Sequence, residues 1–320
     1  MLPRMRYAQT SNEPKPSADV CGIISGTVPM GIILNWKDKQ NNDGGWAYSR
    51  GSSWTEPTVF VLLARAATEP VPLNSEARQS VAAGLKFLHS LERPDGGWAP
   101  QPGVMESTWV TSLVALLPES EIGSRALRTA TGWLRKQTGQ ESGWRYRLQQ
   151  RLDGNKDQFP EAWPWFPGAA AWATPTTMGI LALEKMRRSA ALDKSTEGSD
   201  LHRRIDTARE FLLGRQCADG GWNHGSNRAL GRDGDSYPET TGQVLLAFAG
   251  TGRSTAIDRA TAAAHRHLAA CRTAEGTSWL RLGLAAHAQP VKPDFTPICR
   301  TNMDAALLAL ADANRNPFLP

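Results

Sequence analysis

Cysteine is scarce and never paired by spacing. Cys21, Cys217, Cys271 and Cys299 are scattered, with no Cys-x-x-Cys among them. That excludes a disulfide framework read from spacing and leads us to expect free, buried thiols in a reducing compartment, with the cytoplasm as the default location. Blocks of like charge are also missing. Lys and Arg number 36 against 31 Asp and Glu, a net charge of +5, and the arginines are spread along the chain. A nucleic-acid footprint needs a clustered basic stripe or a known motif, so nucleic acid is not an expected partner. No uninterrupted apolar run is long enough for a membrane span. The stretch Val20–Trp36 is broken by Gly22, Gly26, Pro29 and Gly31 and reads as a repeat helix, neither a signal peptide nor a span. No glycine run forms a phosphate cradle, and the six histidines have no partners that would argue for a Ser-His-Asp arrangement.

What is present is a repeat. Asp-Gly-Gly-Trp occurs at Asp43–Trp46, Asp95–Trp98 and Asp219–Trp222, with degenerate copies ending at Gly143-Trp144 and Gly276–Trp279. Trp is a rare residue, so three identical copies mark an internal period. Asp can bond its own backbone to start a turn, the paired glycines allow positive φ, and Trp offers a large apolar face to clamp the turn. These turns build a fold and do no chemistry.

Helices flank the turns. Before them, Ser80–Leu91 places Val81, Leu85, Leu88 and Leu91 at helical spacing, and Ile205–Arg215 repeats the pattern with Ile205, Ala208, Phe211 and Leu212. Ala126–Lys136 and Ala256–Cys271 are weaker versions. After them come helices that are apolar nearly all round, aligned on Leu62-Leu63-Ala64, Leu113-Val114-Ala115, Ile180-Leu181-Ala182, Leu245-Leu246-Ala247 and Leu307-Leu308-Ala309, which implies burial on both sides. Glu56-Pro57-Thr58 and Thr174-Pro175-Thr176 open two of these helices, with Glu106-Ser107-Thr108 and Glu239-Thr240-Thr241 read as variants. Residues 1–19 are expected to form a flexible tail, and 20–320 a single repeat domain.

Outer amphipathic and inner apolar helices joined by Gln-x-x-Asp-Gly-Gly-Trp resemble the prenyltransferase and squalene oxidase repeat. Gln40–Trp46 and Gln216–Trp222 carry the motif best; Glu92 replaces the glutamine before Asp95–Trp98, and Gln137–Trp144 is one residue longer and lacks Asp-Gly-Gly. The resemblance spans roughly Val20 to Asp312. It implies an all-α fold, an α/α toroid; the five aligned inner helices lead us to expect about five helix pairs with the tryptophan corners outside, in a ring that is either closed or open, an open side inviting a partner or second copy. Terpenoid cyclases and protein prenyltransferase β subunits share that fold.

The enzymatic hallmarks of those families are absent from the sequence. No Asp-x-Asp-Asp cluster is present; the nearest is Asp233-Gly234-Asp235, in a loop. No Asp-rich site for magnesium pyrophosphate exists, and Cys217, Asp219 and His224 do not match the zinc order. No metal or other cofactor is therefore expected. What remains is Glu56, Glu106 and Glu239 near inner-helix N-termini, with Trp54, Trp109, Trp165, Trp172 and Tyr237 close by in sequence. In a toroid these would meet at one rim, where an aromatic cavity with carboxylates at its mouth could hold an isoprenoid-type ligand and stabilise developing cations. The reading of the same residues as helix caps and core filler stays open, and with it the question of whether the chain is an enzyme. Three functions follow: an isoprenoid-binding or isoprenoid-transforming protein with a deep apolar pocket; a scaffold with a packed centre that binds protein or glycan at its loop rim; or a polysaccharide lyase or hydrolase with Trp163 or Trp165 facing a carboxylate. A peripheral membrane contact and a homo-oligomer also stay open.

Overall fold

The computed structural model describes residues 36–69, 72–143, 148, 161–189, 197–229, 232–313 and 316–319. The expected tail, the apolar run up to residue 35 with its Cys21, Trp144 and most of the third loop lie outside the described residues.

The described chain is nearly all helical: α1 (Thr55–Thr68), α2 (Ser75–Ser90), α3 (Val110–Ala115), α4 (Glu119–Ile122), α5 (Ser124–Lys136), α6 (Ala173–Arg188), α7 (Glu197–Gly214), α8 (Pro238–Ala247), α9 (Thr255–Ala270), α10 (Ala274–Ala286) and α11 (Asn302–Asp312). A two-residue hairpin pairs Arg228–Ala229 with Arg232–Asp233. Six of the described helices form an inner ring. Each packs on the next, α1 on α3, then α6, α8, α10 and α11, and α11 packs back on α1. Helices α2, α5, α7 and α9 lie outside them. The protein is an α/α toroid.

Two points about the ring are decided by the structure. It is closed by α11 against α1, with Asn302 donating from its backbone to Tyr48 O (2.6 Å) and from its side chain to Ala47 O (2.9 Å). The supposed turn Gly276–Trp279 is not a turn; it lies inside α10, the fifth inner helix, so the helix carrying Leu307 is the sixth. Gly276 and Trp279 imitate the motif because both patterns put a small residue near a large one. Helix α10 crosses α8 closely. A methyl on Gly242 would lie 2.3 Å from the Trp279 carbonyl carbon, and one on Gly283 would lie 2.4 Å from Gly242 O. Glycine weakens a helix interior, and here it permits backbone-to-backbone approach.

The turns do what their chemistry predicts. Asp43, Asp95 and Asp219 each accept from the backbone N–H two residues on, and from the hydroxyl of Ser53, Ser107 and Ser236. Gly44, Gly96 and Gly220 have φ near +90°. Burial alone would raise the Asp95 carboxyl, but donors from Ser107, Gly97 and the Trp133 indole outweigh it and hold it low.

The tryptophans are not outside. Trp46, Trp98 and Trp222 are fully buried between the two layers. Each indole donates to the carbonyl ten residues before it, at Trp36 and, in the last turns of α2 and α7, at Leu88 and Leu212. Each backbone N–H donates to a threonine of the following inner helix: Thr58, Thr111 and Thr241. The glutamines make the link to the next unit, Gln40 reaching Ser80 O and Gln216 reaching Ala256 O. In the third unit Trp163 does this work, bonding Leu134 O and Thr176 Oγ1. It is buried beneath the Arg204 guanidinium, 3.6 Å from its ring, so it offers no platform to a ligand.

Cys217, Cys271 and Cys299 are free thiols. No helix among the described residues is long and apolar enough to cross a membrane.

Candidate functional site

The threonine that receives each turn's N–H fixes the register of the inner helices. Two residues before it stand Glu56 (before Thr58), Trp109 (Thr111), Thr174 (Thr176) and Glu239 (Thr241). Glu275 in α10 and Met303 in α11 occupy the same second helical position. These six side chains surround one small cleft at the N-terminal rim of the inner ring, about 130 Å³ in volume. One turn deeper, Phe60, Met178, Gln243 and Trp279 line it, each four residues after a rim position, as helical geometry requires. Two loops add Trp165 and His224. No Lys or Arg lines the cleft among the described residues.

Glu56 is half-buried and accepts a hydrogen bond from the Tyr48 hydroxyl on Oε2. Desolvation raises its carboxyl, Tyr48 opposes that rise, and the Glu275 carboxylate adds to it, leaving the pKa at about 7. Burial and Glu56 push the Tyr48 phenol upward, keeping it a donor. Partial desolvation at the cleft wall, then the neighbouring carboxylates of Glu239 and Asp304, push Glu275 upward too, although that residue as a whole stays exposed. Across the cleft, His224 Nε2 stands 3.6 Å from Glu239 Oε1, and its Nδ1 meets Thr240 Oγ1 at 3.1 Å. The His224 carbonyl accepts from Ala173 N, which ties this loop to the start of α6. Trp109 and Trp165 meet edge to face, with ring centroids 4.8 Å apart and planes at 87°, and Trp109 N donates to Trp165 O. Thr174 donates to Gln243 Oε1, 2.7 Å.

Of the residues read from sequence, the cleft gathers Glu56, Glu239, Trp109 and Trp165. The others stand apart. Glu106 is exposed in the loop before α3; its Glu-Ser-Thr mimics Glu-Pro-Thr, but the register is set three residues later, at Thr111, and Trp109, the N-cap of α3, takes the rim position. Asp233 lies on the exposed hairpin, 4.0 Å from Arg228, and Asp235 is exposed beyond it; neither lines the cleft. Trp54 caps α1 two residues before Glu56 and tilts against Tyr48, centroids 5.8 Å apart, outside the lining. Trp172 and Tyr237 hold the same position on α6 and α8 and are partly exposed. Sequence reasoning missed Glu275, hidden in the supposed fifth turn, and His224, set aside as an unfit zinc ligand. Glu275-Gly276-Thr277 has the same Glu-x-Thr spacing as Glu56-Pro57-Thr58 and could have been found by it.

The deep apolar pocket expected of an isoprenoid toroid is absent among the described residues. Phe60, Trp279 and Phe318 fill the axis beneath the cleft, with centroids 5.4 to 6.3 Å apart. No group of three His, Cys, Asp or Glu among the described residues is placed to hold a metal ion.

Neither a family model nor a curated protein sequence matches the chain. Among solved structures it is similar to a type II terpene cyclase from Scytonema, at 16% identity over 88% of this chain and 76% of that one, with a TM-score of 0.43. A variant of that cyclase in complex with geranylgeranyl dihydroxybenzoate matches at 14% identity, over 86% and 92%, with a TM-score of 0.39. A polysaccharide lyase matches at 12% identity, over 85% and 77%, with a TM-score of 0.45.

Proposed function

We propose that the rim cleft is an acid–base site that takes one end of an apolar, isoprenoid-type ligand, with Glu56 as the proton donor. The observation that carries this reading is the setting of Glu56: a carboxyl titrating at about 7, held by Tyr48, in a cleft walled by Trp109, Trp165, Phe60 and Trp279. A general acid works best when its pKa is near the working pH. In the proposed step the Glu56 proton passes to an alkene carbon of the ligand. The carboxylate left behind keeps the Tyr48 hydrogen bond, and the cation formed faces aromatic rings and the carboxylates of Glu239 and Glu275. Loss of a proton from the ligand to Glu239, beside His224, closes the proton count. At about 130 Å³ the cleft is smaller than the roughly 300–1,000 Å³ that encloses a whole drug-sized ligand. It therefore takes one end, and the remainder runs over Trp165 and the exposed Phe166.

The choice of an isoprenoid rests on the Gln-to-Trp turns, which resemble the prenyltransferase and squalene oxidase repeat. One observation favours a second reading: Trp165 shares its cleft with three carboxylates, as a sugar platform in a glycan-active site would. Native mass spectrometry of the purified protein, offered farnesol and a neutral oligosaccharide in turn, separates the two. Farnesol bound by the parent, more weakly by Trp109→Ala, and bound but unchanged chemically in Glu56→Gln is the expected result. Retention of the oligosaccharide alone would transfer the site to glycan, and retention of neither would end both readings.

A further inference from the structure

A second and larger space, about 670 Å³, is bordered by the C-terminal parts of α6, α8 and α10 and by α7, and shares no described lining residue with the rim cleft. Its volume falls in the range of roughly 300–1,000 Å³ that encloses a whole small ligand. Leu181, Leu246, Ala286, Phe318 and Leu319 give it an apolar side. Along α6 the lining then turns charged. Leu181, Glu184 and Arg188 follow at spacings of three and four residues on one helix face, with Arg187 beside them. Seven residues of helix rise about 10 Å, which leaves room for a hydrocarbon chain between the apolar and the charged end.

Three guanidinium groups gather at the charged end around one carboxylate. Glu184 Oε2 accepts from Arg187 Nη2 (2.9 Å) and Nε (3.1 Å) and from Arg188 Nη1 (3.3 Å), and its Oε1 accepts from Arg209 Nη2 (2.9 Å). Arg209 also donates to the Ala247 carbonyl at the end of α8 and stands 3.6 Å from Asp206, which His202 meets at 3.2 Å. Burial alone would raise the Glu184 carboxyl, but Arg187 and Arg209 outweigh it and hold it low, so it stays ionised and keeps the guanidinium groups together. Three arginines face two carboxylates, a surplus of one positive charge before His202 is counted. The Arg188 fork donates to no described acceptor besides Glu184, so most of its N–H groups are free to take a further anion. Such forks match a carboxylate through paired hydrogen bonds.

We propose that this space binds a single-chain carboxylate, an anionic amphiphile whose headgroup lies on Arg187 and Arg188 and whose hydrocarbon tail lies against Leu181, Leu246, Ala286, Phe318 and Leu319. The side chains of Arg187 and Arg188 are 40% and 35% exposed, so a headgroup reaches them from solvent while the tail is covered. One surplus positive charge matches a carboxylate better than a phosphate, which carries about −1.5 to −2 at neutral pH. The rim cleft, with three carboxylates and no described arginine or lysine, repels the same ligand. The two sites are therefore independent, and neither reading needs the other.

Isothermal titration calorimetry on the full chain tests this with dodecanoate, dodecyl phosphate, dodecanol and acetate, each amphiphile kept below its micellar concentration. Arg187→Gln, Arg188→Gln and the cleft variant Trp109→Ala are compared with the parent, each first checked for a cooperative thermal transition. The expected result is that dodecanoate binds the parent, about tenfold more weakly in either arginine variant, and equally well in Trp109→Ala. Dodecanol and acetate should each bind the parent at least about tenfold more weakly than dodecanoate. Dodecanoate bound by both folded arginine variants as tightly as by the parent, or no more tightly than dodecanol, overturns the headgroup site. Acetate bound as tightly as dodecanoate overturns the apolar one. Tighter binding of dodecyl phosphate, with the same dependence on the arginines, would overturn the carboxylate in favour of a phosphate headgroup. Binding lost in Trp109→Ala and kept in the arginine variants would move the ligand to the cleft, and no binding of dodecanoate by the folded parent would end the inference.

Discussion

A single carboxyl shows how burial and company decide what a glutamate does. Glu56, Glu239 and Glu275 hold the same position on three inner helices, yet Glu56 alone receives the Tyr48 hydroxyl, and desolvation with Glu275 nearby lifts its pKa to about 7. An unfolded glutamate titrates near 4.3. Between those values the folded protein keeps a proton that the unfolded chain has released, so stability falls as pH rises through that window and levels off above it. Glu275 is shifted in the same direction and adds to the slope. Comparing urea denaturation at pH 5 and pH 8, we expect Glu56→Gln to be less sensitive to pH than the parent by up to about 3 kcal/mol. Equal sensitivity would mean that Glu56 ionises normally. Among the candidate residues, Glu56 and Glu239 were legible in sequence because each opens a helix with an evident Glu-x-Thr. Glu106 was misleading because its Ser-Thr pair satisfies the same local pattern, and only the Trp98 N–H, which selects Thr111 over Thr108, sets the register.

At the scale of elements, most of the helices could be read from sequence and their mutual arrangement only in part. Helices α2, α5, α7 and α9 announce themselves by periodicity, and three of the turns by Asp-Gly-Gly-Trp. The third turn is disguised because a long insertion separates Trp163 from the helix whose carbonyl it bonds, Leu134 lying 29 residues before it. Helix α10 is disguised because its two glycines serve contact with neighbours, which no local pattern reports. Gly242 and Gly283 let α8 and α10 touch along their backbones. Gly242→Ala should gain slightly in helix propensity and lose much more to the clash with the Trp279 backbone, which cannot rotate away. We expect a net loss of about 3 kcal/mol or more by urea denaturation. A loss under about 0.5 kcal/mol would show that the two helices can part without cost.

The whole molecule gains its site by closing. Asn302 of α11 bonds the backbone of Ala47 and Tyr48 at the opposite end of the described chain, and Tyr48 in turn holds Glu56. Closure therefore seats the residue that holds Glu56, while the ring brings five further rim positions around it. None of this long-range consequence could be read from any one repeat. A five-unit reading left closure undecided, and the sixth helix supplies both the closing contact and Met303 of the cleft.

The central claim is that this closed rim lifts the Glu56 carboxyl from the ordinary glutamate range to a pKa of about 7. Its most direct test is a titration of the Glu56 side-chain carboxyl by carbon-13 NMR in glutamate-labelled protein, with Glu56→Gln identifying the resonance. The account predicts a midpoint near 7. A midpoint near the ordinary glutamate value of about 4.3 would contradict it.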